Sequence, residues 1–172
     1  MWHNYDKIFL YGGLFSDVDP VTSPPAFALW EYDIASSKWS EADTSVAGDS
    51  GSSEIQRAAE GAGVSVPGRS LGFYFGGHLD GYTTQGWSQS VPRVYLKSLL
   101  EFDLDKKQFR NITKNGLEKA GVPERADGVL VFVSLDMRLV FSEFGSDKTR
   151  FHGAMKVFFL LLEAVRTRRS PR

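Results

Sequence analysis

Four side chains suited to recognition fall within ten residues of one another: His78, Asp80, Tyr82 and Trp87. A tyrosine and a tryptophan beside charge are the residue types that dominate protein-binding hot spots. The competing reading is that Tyr82 and Trp87 pack their loop onto the scaffold beneath it. The remaining reactive inventory is thin. His3, His78 and His152 are scattered, and no nucleophile stands beside a partnered base. The chain has no cysteine, which removes disulfides, thiolate metal sites and cysteine nucleophiles and leaves the redox compartment open. Asp17 and Asp19 alternate as calcium ligands do, but the other ligands and the glycine of a calcium loop are missing, so a turn is expected. Asn111-Ile112-Thr113 fits the N-glycosylation acceptor. The residues therefore point to a non-catalytic chain that needs no metal and no cofactor.

The scaffold that must position these residues is repetitive. Gly12-Gly13 is followed by Tyr32 and Trp39, and Gly76-Gly77 by Phe102 and Phe109, with the two aromatics seven apart both times. Arg57-Ala58 returns as Arg125-Ala126, 68 residues on. Repeats of short strand-rich units mark propellers and solenoids. Apolar runs at 8–11 and 73–75 are each closed by the glycine pair and read as strands buried on both faces. Strands follow at 28–33 and 99–103, then polar turns, then strands around Trp39 and Phe109. Further strands are expected at 62–66 and 129–133, ahead of the second glycine pair and of a third unit. Four strands in an up-and-down meander make a propeller blade.

Loop lengths are asymmetric. The long connections, 14–27, 44–56, 78–94 and 114–124, all belong to one face of such a propeller, and the opposite face has tight turns. Binding residues concentrate on loops held by a rigid scaffold. The net charge of -1 offers no pull toward nucleic acid or anionic lipid. The longest apolar run, 157–162, falls far short of the ~20 residues a membrane span needs. The N-terminus lacks the basic-then-apolar pattern of a secretory signal. The chain reads as soluble.

These glycine pairs and spaced aromatics resemble the kelch repeat; the first unit fits fully, and the second replaces both aromatics with Phe. Residues 2–133 look like the ectodomain of fungal membrane-anchored kelch proteins, above all at Tyr74-Phe75-Gly76-Gly77-His78-Leu79-Asp80-Gly81-Tyr82 and at 121–128. The resemblance implies an all-β fold: about two and a half kelch-type blades of four-stranded antiparallel meanders over 1–150, an incomplete propeller. It implies that the glycines admit close backbone approach and that every motif aromatic wedges between blades.

Some kelch-type propellers are enzymes. The galactose oxidase radical cofactor needs a cysteine, absent here. The iron site of nitrile-specifier proteins has four-residue spacing, which Glu143, Asp147 and His152 miss by one position, so a solvated loop is expected there. The third unit shows Ser142-Glu143-Phe144-Gly145 in place of the glycine pair.

Residues 151–172 carry no blade pattern and form a non-family tail, partly disordered at its arginine-rich end. Within it, 154–169 reads as a short helix with Met155, Phe158, Phe159 and Leu162 on one face, or as a peptide covering a blade edge. The functional expectation is a kelch protein-interaction module working through its long loops, with another protein as partner or self-association through open blades. The alternative is a truncated part of a membrane-anchored parent whose ectodomain lies outside the cell; the chain itself sets no compartment.

Overall fold

The computed structural model describes residues 1–16, 22–47, 55–88, 90–113, 121–133 and 158–162. Blade one is a four-stranded antiparallel sheet of β1 (Trp2–His3), β2 (Lys7–Leu10), β3 (Leu29–Asp33) and β4 (Lys38–Ala42), adjacent in chain order. Its turns are set by side chains that mimic backbone. Asn4 Oδ1 accepts from the amides of Asp6 and Lys7 at 2.9 and 2.7 Å, and Asp33 Oδ1 accepts from Ser36 N at 2.7 Å. Such Asx turns are why short polar residues end strands. β1 was not legible in the sequence, because two residues are too few to show a period.

The chain then runs through β5 (Ser45–Val46) and crosses to blade two: β6 (Ala62–Val66), β7 (Leu71–Phe75), β10 (Leu99–Asp103) and β11 (Gln108–Asn111). A 3-10 turn at Pro67–Arg69 joins β6 to β7. Between β7 and β10 the long loop forms a small hairpin of its own, β8 (His78–Leu79) with β9 (Val94–Tyr95). β5 joins blade two from outside, parallel to its edge strand β11, and so covers backbone that would otherwise be open to pairing.

The two blades share one register. Ile8, Tyr32 and Trp39 form a cross-strand row in blade one, as Gly72, Phe102 and Phe109 do in blade two. The other face of blade one, Trp2, Phe9, Leu29 and Ala42, packs on the Tyr74, Leu100, Phe102 and Phe109 face of blade two. Gly72 makes room for this: a Cβ there would sit 2.6 Å from the Trp2 indole, whose Nε1 donates to Phe73 O at 2.8 Å. The glycine pairs fit the expectation for them. Gly12 and Gly76 have positive φ, and a Cβ on either would collide with a backbone carbonyl oxygen, that of Ala58 or of Arg125. Gly13 N and Gly77 N accordingly donate to Ala58 O and Arg125 O at 2.9 and 2.8 Å. Geometry thus pairs Ala58 with Arg125, one residue from the sequence match.

Blade two's second face, Phe73, Phe75 and Leu99, packs on Leu130 and Phe132 of β12 (Val129–Val133). The tail corrects the helical reading. β13 (Phe158–Leu162) is a strand paired antiparallel with β12. A five-residue aromatic and aliphatic run beside an unpaired strand gains a ladder of hydrogen bonds that a lone short helix cannot match. The described residues contain no α-helix, and none long and apolar enough to cross a membrane.

The motif aromatics differ between the two blades. Phe102 and Phe109 are fully buried, but Trp39 is 51% exposed and Tyr32 only partly buried. The reason is position: blade two lies between neighbours on both faces, whereas among the described residues blade one is covered on one face only. For the same reason β7 is buried on both faces while β2 exposes Leu10.

Candidate functional site

Two of the long connections meet at the glycine-pair end of the blades. Loops 14–28 and 78–98 touch: Phe15 N donates to Tyr82 O at 2.8 Å and Gly86 N to Ser23 Oγ at 3.4 Å. The four sequence-singled residues do come together in one loop, but they divide by role. His78 and Asp80 are buried beneath it, and Trp87 packs partly buried against the core shared by the blades. Tyr82 is partly buried; its amide donates to Asp80 Oδ1 at 3.0 Å.

His78 is flanked by carboxylates on both sides. Its Nδ1 lies 3.2 Å from Glu60 Oε2 and its Nε2 lies 3.1 Å from Asp80 Oδ2. The same Asp80 oxygen pairs with Arg93 at 3.0 Å, and Asp80 Oδ1 accepts from Thr83 Oγ1 at 3.2 Å. Thr84 Oγ1 completes the brace by donating to Arg57 O at 2.9 Å. Burial lowers the Arg93 pKa, but Tyr95, Asp80 and Glu60 outweigh it and raise the value above the usual guanidinium range. Burying Asp80 requires such pairing. This arrangement ties the loop between β7 and β10 to the segment entering blade two, because Glu60 lies two residues before β6 and Arg93 just before β9. Glu60 and Arg93 carried no distinguishing signal in the sequence; only the fold brings them to His78.

What the brace leaves outside is an apolar rim. Val91, Val94 and Tyr95 are exposed around Arg93, and Leu14 and Phe15 are exposed on the neighbouring loop. None of these five was singled out by motif. Alternation along β9 does not identify them, since its two residues are both exposed.

Two further charged or polar sets have structural roles. Glu31 is buried on the inner face of blade one, paired with Lys7 of its own blade and with Lys107 of blade two at 2.6 Å. Burial pushes its carboxyl up, but the two lysines prevail and hold it below the usual range. Burial also lifts Tyr74 to about 12, with Glu60 adding to it, while its hydroxyl accepts from Gly61 N at 2.9 Å. Asn111 is exposed at the end of β11, and its Oδ1 accepts from Thr113 N and Oγ1 at 3.1 and 2.6 Å.

Among the described residues no group of three histidine, cysteine or acidic side chains has the geometry to hold a metal ion. Asp17 and Asp19, and the third-unit set Glu143, Asp147 and His152, lie outside the described residues.

No family model matches the chain. It is 50% identical over 157 residues to a kelch repeat-containing protein of the fungus Arthroderma benhamiae, a match covering 77% of this chain and 23% of the relative. The chain thus spans about a quarter of that relative's length. With the glycine pairs, the cross-strand aromatics and the four-stranded antiparallel blades all in place, this identity shows the chain to be a kelch-repeat homologue.

Proposed function

We propose that the chain is a non-catalytic protein-interaction module that binds through its loop side. The observation supporting this most directly is the braced loop: Glu60, His78, Asp80 and Arg93 hold it, while Val91, Val94 and Tyr95 remain outside. A preorganised loop loses little conformational entropy on binding. Tyrosine and arginine on such a platform are hot-spot types. Both His78 nitrogens face carboxylates of the fold itself, a bracing role rather than one in proton transfer to a substrate.

The test is affinity capture on the immobilised chain with extract of its source cells, comparing wild type, Tyr95→Ser and Phe15→Ser. Loss of the captured proteins in the loop-side variants supports the reading. A captured set indifferent to both substitutions overturns it. In a second reading these blades bind only as part of a larger, membrane-anchored fungal protein. The 23% share of the relative supports it, and it calls for capture by a longer chain where this one captures nothing.

A further inference from the structure

Asn111-Ile112-Thr113 is the only acceptor triplet for an N-linked glycan in the sequence, and the loop-side reading makes no use of it. Triplets of this kind recur by chance. What gives one weight is a folded chain with room for a sugar on its asparagine. Asn111 is exposed at the end of β11, opposite Leu100 and at the glycine-pair end of blade two. Its neighbour Ile112 packs against the core of Phe73, Phe75 and Leu99, and strand alternation turns Asn111 away from that core. Thr113 then fixes the carboxamide. Its amide and its hydroxyl both donate to Asn111 Oδ1, at 3.1 and 2.6 Å. A backbone N–H can only donate, so the oxygen faces Thr113 and Nδ2 lies on the other side. Among the described residues, both side-chain hydrogen bonds of Asn111 use this oxygen. A sugar in place of one Nδ2 hydrogen breaks neither. The blade itself does not call for the triplet, since blade one has Glu41-Ala42-Asp43 at the same register.

We propose that Asn111 carries an N-linked glycan in the mature protein. The transfer joins Nδ2 to the anomeric carbon of an oligosaccharide supplied on a lipid diphosphate. The bond from that carbon to the diphosphate oxygen breaks, Nδ2 gives up one proton, and the lipid diphosphate leaves. Such a donor is met on entry to the secretory pathway, so the proposal also places the chain on that route. Transfer precedes folding, and the folded chain has only to accommodate the product. It does so at a surface position, where a bulky, hydrophilic group adds solubility. The modification is independent of the loop-side reading, since either can fail while the other stands.

The test is peptide-N-glycosidase treatment, in heavy-oxygen water, of the natural protein purified from its source cells. The chain should lose the apparent mass of one glycan, and mass spectrometry should find Asn111 converted to aspartate carrying the heavy oxygen. Asn111→Gln and Thr113→Ala should each migrate as the deglycosylated chain. Thr113→Ser keeps the hydroxyl and should keep the glycan. An Asn111 recovered without the label overturns the proposal, whether it is intact or has deamidated unaided. So does a glycan-dependent shift in mobility that survives Asn111→Gln. Because the label is read on the wild-type chain, a variant that fails to fold leaves the test intact.

Discussion

Blade one and blade two place the same kind of residue at the same register with opposite outcomes. Tyr32 opposite Trp39 stands on a face that no described residue covers; Phe102 opposite Phe109 is fully buried. The difference comes from what lies across the sheet, since blade one supplies Trp2 and Phe9 to cover the phenylalanines. A propeller motif aromatic is therefore a surface residue until another sheet arrives. Local sequence decides where the aromatic points, and neighbouring blades decide whether it stabilises the fold. The same holds for charge. Glu31 is buried between two lysines because Lys107 reaches it from blade two, whereas its counterpart Glu101 pairs with Arg110 of its own blade at 2.5 Å.

The comparison breaks most visibly under truncation. Phe102→Ala should cost about 3–5 kcal/mol in urea unfolding, because it opens a cavity between blades. Gly76→Ala should follow at about 1–3 kcal/mol from positive-φ strain, with the Arg125 carbonyl adding to it. Gly13→Ala meets no atom and should lose only about 1 kcal/mol. Glu31→Gln tests the charge clamp and should cost about 1–3 kcal/mol at neutral pH by removing the partner of two half-buried lysines. Because the folded Glu31 pKa is lowered, its contribution is present above the unfolded value of about 4.3 and lost as pH falls through the folded one. The variant should therefore flatten the acid limb of stability against pH. Tyr32→Ala, in dilute monomer, should cost under about 1 kcal/mol. A loss near that of Phe102→Ala would show that the blade-one face is covered after all.

Much of the scaffold was legible in the sequence. Glycine pairs, apolar runs and the seven-residue aromatic spacing are local signals, and β2, β3, β6, β7 and β10 lie where those signals put them. Asp33 and Asp103 close the polar turns that follow those strands. What escaped depends on contacts distant along the chain. β1 is too short to show a pattern, and β5 is defined only by the edge it joins. β13 exists through β12, against its own helical spacing. The brace shows the limit most clearly. His78 and Asp80 stood out by type, but their partners Glu60 and Arg93 lie 18 and 13 residues away, respectively. Burial then divides the loop: His78 and Asp80 lie beneath it, while Val91, Val94 and Tyr95 are exposed.

Hydroxyl-radical footprinting of the dilute chain tests the central contrast most directly, because it reads the paired aromatics of both blades in a single sample. Tyr32 and Trp39 should oxidise readily while Phe102 and Phe109 are protected. Equal reactivity of the two pairs in dilute solution would contradict the account.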